Sequence, residues 1–161
     1  MKKILFLVVL ALGLNTSFSQ SAKALYFELG GPGLAAFNFD TRFSGREDGL
    51  GGRIGFGGFA IEGTGAVFIP VGLNYLVGKD SRNYFELGGG VTPVIAFENF
   101  SNNNGAFSTT FGHLNFGYRL QPKDGGFFFR AAINPVFAKG FFWPYYGGVT
   151  FGYKFPTGKP K

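Results

Sequence analysis

The chain has 161 residues, no cysteine, 28 glycines and 23 phenylalanines, and a formal net charge of +6. The missing cysteines exclude a disulfide framework, a cysteine-ligated metal and lipoprotein processing, and an aromatic content of 19% excludes a disordered chain, which avoids aromatics. Lysine and arginine never run together for more than two residues, so the clustered basic face of a nucleic-acid-binding protein is missing.

Met1-Lys2-Lys3, the apolar run Ile4 to Leu14 and the small-x-small pattern Ser17-Phe18-Ser19 have the form of a cleavable export signal over residues 1–19, leaving Gln20 as the mature N-terminus. The apolar run is too short to cross a bilayer as a helix. Loss of Lys2 and Lys3 lowers the basic count from 15 to 13 against 9 acids, so the mature chain is near +4. Its length suits one domain, 20–155, followed by a short tail, 156–161.

Beyond the signal, apolar and polar residues alternate with the period of two that marks strands. The pattern predicts about eight of them, at 22–30, 34–43, 50–60, 66–78, 84–97, 107–120, 127–138 and 145–155. Charged, turn-forming segments at 44–49, 79–83 and 121–125 alternate with connections at 31–33, 61–65, 98–106 and 139–144, as they would if the two sets lay at opposite ends of a meander. One face of the strands collects large apolar residues, among them Phe37, Phe56, Leu73, Phe85, Phe116, Ile133 and Phe151. The other collects Glu28, Asn38, Arg42, Arg53, Asn74, Glu86, His113, Asn115, Arg119, Arg130, Asn134 and Lys154. The interior of an eight-stranded barrel is only wide enough for side chains to fill it and cannot hold the apolar set. The fold expected is therefore all-β: an eight-stranded antiparallel transmembrane barrel, apolar toward lipid and polar toward the lumen. Tyr75, Tyr84, Tyr118, Phe127, Tyr153 and Phe155 fall at one set of strand ends, and Phe97, Phe107, Phe141, Phe142, Trp143 and Tyr145 at the other, as two aromatic girdles.

In this pattern the chain resembles the small outer-membrane β-barrel proteins of Gram-negative bacteria, the OmpA/OmpX/OmpW-like group, over roughly Gln20 to Phe155. Val149, Phe151, Tyr153 and Phe155 at alternate positions resemble the C-terminal signal such proteins present to the barrel-assembly machinery; Pro156 to Lys161 follow where the usual pattern ends. The resemblance implies an outer-membrane location, with membrane lipids and the assembly machinery as partners, and leaves the oligomeric state open.

The candidate site is the lumen charge network Glu28, Arg42, Arg53, Glu86, Arg119, Arg130 and Lys154. Confined charges must be paired, so the first expectation is a salt-bridged plug in a structural or interaction protein. An anion-preferring constriction of a small-solute channel is the alternative, since cations outnumber carboxylates. Pro70, Pro93 and Pro135 interrupt strands. They suggest either kinks or, as proposed for OmpW-like barrels, a weakened wall through which a hydrophobic compound leaves sideways. His113 is the only histidine, so no multi-histidine metal site exists. A catalytic triad would need His113 with Ser101, Ser108 or Thr110 and Asp40 or Glu86, and the serine two residues after histidine expected of an eight-stranded lipid-A deacylase is Asn115. No cofactor and no catalytic centre are expected. Gly55 to Ala60 matches G-x-G-x-x-A without the helix that would make it a phosphate cradle.

Overall fold

In a computed structural model of the chain, residues 21–62, 64–98 and 107–157 are described; the export signal, Ser101 and the last four residues lie outside them. The strands are β1 (Lys23–Gly30), β2 (Ala35–Arg42), β3 (Gly49–Ile61), β4 (Thr64–Phe68), β5 (Val71–Val77), β6 (Asn83–Glu98), β7 (Phe107–Leu120), β8 (Gly126–Ile133), β9 (Val136–Ala138), β10 (Phe141–Trp143) and β11 (Gly147–Lys154). All pairings are antiparallel. β4 and β5 form one stave interrupted at Ile69-Pro70, β8 and β9 a second interrupted at Asn134-Pro135, and β10 and β11 a third. The eleven segments thus make eight staves, closed where β11 pairs with β1.

The staves match the eight segments expected from alternation. The connection expected at 139–144 is the main difference, since Phe141–Trp143 pairs with β9 as the start of the last stave.

The register fixes the shear. Stepping across partners from Gly30 through Gly148, Ala132, Gly117, Glu86, Leu76 and Gly49, then extending the β2 and β1 registers past Arg42, returns to β1 ten residues from the start. With eight staves this shear corresponds to strands tilted by about 40°. Both termini of the barrel, Lys23 and Lys154, lie at the same end, here called lower.

Exposure follows the alternation. Phe37, Phe56, Leu73, Phe85, Ile133 and Phe151 are exposed, whereas Glu28, Arg42, Glu86, Arg119, Arg130 and Lys154 are at most 1% exposed. Tyr84 departs from its expected girdle, being buried on the lumen face with Glu86. Inward residues also change in kind along the axis. Going up β6 they run Tyr84, Glu86, Gly88, Gly90, Thr92, Val94, and going down β7 they run Phe111, His113, Asn115, Gly117, Arg119. Charge sits low and apolar residues sit high.

A barrel this narrow must leave room for such side chains, and glycine provides it. Gly152 of β11 pairs with both Tyr26 and Phe128. A Cβ there would lie 2.4 Å from Tyr26 Cβ. At Gly51 an added Cβ would lie 2.2 Å from Arg42 Cζ. Overpacking of this kind costs about 1–3 kcal/mol. Gly152→Val should therefore lower the urea midpoint of the refolded barrel by an amount in that range. Gly147→Ala, whose new Cβ would find its nearest neighbour at 3.5 Å, should leave the midpoint nearly unchanged.

Candidate functional site

Three carboxylates organise the lower half of the lumen. Asp40, inward on β2 between Asn38 and Arg42, accepts from Arg42 Nη2 at 2.6 Å and from Arg119 Nη2 at 2.8 Å on Oδ1. Its Oδ2 accepts from Asn74 Nδ2 at 2.6 Å. Glu86 accepts from Arg119 Nη1 at 3.2 Å, Arg130 Nη1 at 3.1 Å and Asn115 Nδ2 at 2.8 Å. Glu28 accepts from Arg130 Nη2 and lies 3.5 Å from Arg53 Nη1. These groups come from β1, β2, β3, β5, β6, β7 and β8, so the network ties most of the wall together.

Aromatic rings join the charges. Tyr26 and Phe128 stack with centroids 4.8 Å apart and planes 9° from parallel. Arg119 lies 4.7 Å from the Phe128 centroid, and Arg130 lies 5.3 Å from that of Tyr26. Each of the two stacked rings thus carries one guanidinium, and both guanidinium groups donate to Glu86. Cation–π attraction is strongest where water is excluded.

A cap closes the lower end. Glu47, in the turn between β2 and β3, accepts from Lys154 Nζ at 2.8 Å and from the Thr157 hydroxyl; its backbone carbonyl accepts from Gln121 Nε2 at 3.1 Å. Gln121 in turn accepts from Arg119 Nε at 3.0 Å. The next lower turn is ordered by Asp80, which accepts from the Asn83 side chain and from the amides of Arg82 and Asn83; these bonds, the Asn83 side chain foremost, hold its carboxyl below the usual range.

The seven lumen residues read from the sequence are thus all inward, though they do not form one cluster. Arg42, Glu86, Arg119 and Arg130 join the carboxylate network directly, Lys154 belongs to the cap, and Arg53 has only its 3.5 Å approach to Glu28. Asp40, Glu47, Tyr26 and Phe128 were not in that set. Asp40 was recoverable, because it shares the parity of Asn38 and Arg42. Not every buried polar atom in and around the network has a partner. Arg53 Nη1 and Nη2, and the side-chain oxygens of Asn38, Asn115, Asn134 and Thr150, make no hydrogen bond among the described residues.

Among the described residues the triad candidates are not brought together. His113 is buried with Nδ1 3.2 Å from Thr92 Oγ1, while Ser108 and Thr110 are exposed on the opposite face of β7. Among the described residues no group of three His, Asp or Glu side chains is placed to hold a metal. The prolines leave the wall continuous: the carbonyls of Pro70, Pro93 and Pro135 accept from Gly55, Ile69 and Leu114 at 2.8, 3.0 and 2.9 Å.

The barrel superposes on two solved structures. The N-terminal β-barrel domain of Pseudomonas aeruginosa OprF matches with a TM-score of 0.61 at 12% identity, over 84% of this chain and 98% of that one. The Yersinia pestis outer membrane protein Ail, solved in a phospholipid bilayer nanodisc, matches with a TM-score of 0.52 at 14% identity, over 84% and 97%. The fold is that of the small outer-membrane barrels. No protein-family model matches the sequence, and no curated protein matches it.

Removing one partner from a buried ion network strands the others and costs about 3–5 kcal/mol. Glu86→Gln, which weakens the partner shared by Arg119 and Arg130, should therefore lower stability to urea far more than Glu47→Gln at the partly exposed cap. Equal effects would show that the stack is not the stronger element.

Proposed function

We infer that the mature chain is an outer-membrane barrel of a Gram-negative bacterium with a structural or interaction role, and that its lumen carries no flux. The observation that carries this reading is the interlocked Asp40, Glu86 and Glu28 network, which fills the lower lumen with residues at most 5% exposed. Ions would have to displace guanidinium groups held by paired carboxylates, and the cap at Glu47 lies below them. An apolar outer wall supports the membrane placement, as do the exposed aromatics Tyr75, Tyr118, Phe127, Tyr153 and Phe155 near the lower end. The form of residues 1–19 supports export.

Partners on this reading are the membrane lipids, which meet the outer wall, and the barrel-assembly machinery. The latter would read Val149, Phe151, Tyr153 and Phe155, which are exposed in a row along β11 and just past it. A small-solute channel is disfavoured by the plug, and sideways release of a hydrophobic compound by the backbone bonds that the carbonyls of the three prolines still accept from neighbouring strands.

Mature protein whose folding is verified by heat-modifiable gel mobility should give no conductance steps in a planar bilayer. The double variant Arg119→Ala/Arg130→Ala, which empties the centre of the plug, should give them if it folds. Stable steps from the unaltered chain would overturn the reading.

A further inference from the structure

The upper half of the lumen differs from the plug. Ala66, Phe68 and Val94 form a buried apolar cluster with Phe111 packed against it, and Val136 is 7% exposed beside them. A cavity of about 310 Å³ opens among Pro32, Phe68, Phe111, Val136, Phe141 and Trp143, and among the described residues none that lines it is charged.

The wall on one side is set by a bulge. Trp143 pairs with Val136, yet the backbone N–H of Asn134 donates to the carbonyl of Tyr146, so Pro144 and Tyr145 together stand opposite Pro135. That extra residue reverses the parity of the last stave. Odd residues from Val149 to Tyr153 face outward, but Phe141 and Trp143 share the lumen face of Ala138 and Val136. The girdle placement expected for these two aromatics is thereby corrected. At the open upper mouth Phe141 and Trp143 are still 53% and 50% exposed, and Phe142 and Tyr145 are 65% and 83% exposed.

The cavity has a floor. Two residues below Val94, Phe111 and Val136 on their respective strands stand Thr92, His113 and Asn134, each at most 2% exposed. Beneath these lies the charge network. Anything entering from above meets apolar walls and then a polar stop, which suits retention and not passage.

We propose that this cup is a binding site for one uncharged, hydrocarbon-rich small molecule, a medium-length aliphatic chain or a compact two-ring aromatic. At roughly 30 Å³ per water-sized group the space holds about ten such groups, and its volume is at the lower end of the range for ligand pockets, about 300–1,000 Å³. A charged head is disfavoured because the described lining residues offer it no counter-charge, and the only side-chain hydroxyls among them are those of Thr109 and Tyr146.

Trp143 is the only tryptophan and lines the cup, so it reports occupancy directly. The mature chain in lipid nanodiscs should be titrated with a brominated medium-chain alcohol while Trp143 emission is followed. Saturable quenching is expected, reversed by the unbrominated alcohol. Val136→Phe and Ala138→Leu, which fill the cup from two heights, should each weaken binding at least tenfold, whereas Val149→Phe on the lipid face should not. Linear, unsaturated quenching alike in all four proteins would mean partition into the lipid and would overturn the proposal. So would saturable quenching unchanged by both filling variants. Heat-modifiable mobility identifies any variant that has not folded, and either filling variant suffices for the comparison.

Discussion

Glu86 is the group on which the lumen depends. It accepts from Arg119 and from Arg130, the two cations that lie over the stacked rings of Phe128 and Tyr26. A charge enclosed by a barrel has little water to solvate it and persists only when paired and hydrogen-bonded. Here the pairing is shared: each carboxylate receives more than one donor, and the donors come from staves on several sides. Pulling one stave away would strand partners on others, so a wall held by backbone bonds is also held from within.

That arrangement is possible because of the backbone geometry. A shear of ten across eight staves leaves an interior that side chains fill, and glycine at inward positions such as Gly152 and Gly51 leaves the room that Tyr26 and the Arg42 guanidinium occupy. The glycine-rich composition follows from this crowding. The division of the lumen into a charged lower half and an apolar upper half is a second consequence of the inward sequence on β6 and β7, and it separates stabilisation below from a space for binding above.

Much of this was legible from alternation alone. Eight staves, their faces and the inward direction of Arg42, Glu86, Arg119, Arg130 and Lys154 follow from a period of two, because lipid and a narrow lumen impose opposite demands on neighbouring residues. What the period does not carry is which stave faces which across the lumen, since that depends on the shear. Arg119 and Arg130 could be assigned inward without any sign that they would flank Tyr26 and Phe128. Nor does the period carry parity through a bulge: Pro144 and Tyr145 opposite Pro135 turn Trp143 inward against the reading of the flanking strand. Tyr84 was misread because tyrosine near a strand end suggests an interface, while its parity with Glu86 points inward. Glu47 sits in a turn, where no alternation exists to mark it.

The most direct test of the account is the dynamics of the guanidinium groups themselves. Nitrogen-detected NMR of the barrel in lipid nanodiscs would resolve the terminal nitrogens of each arginine. In a locked network Arg119 and Arg130 show separate Nη signals, with rotation about the Cζ–Nε bond slowed and solvent exchange protected, while exposed Arg46 shows one averaged, rapidly exchanging signal. Averaged, rapidly exchanging signals for Arg119 and Arg130 in the folded barrel would contradict it, because they would mean a wet and mobile lumen in place of a locked network.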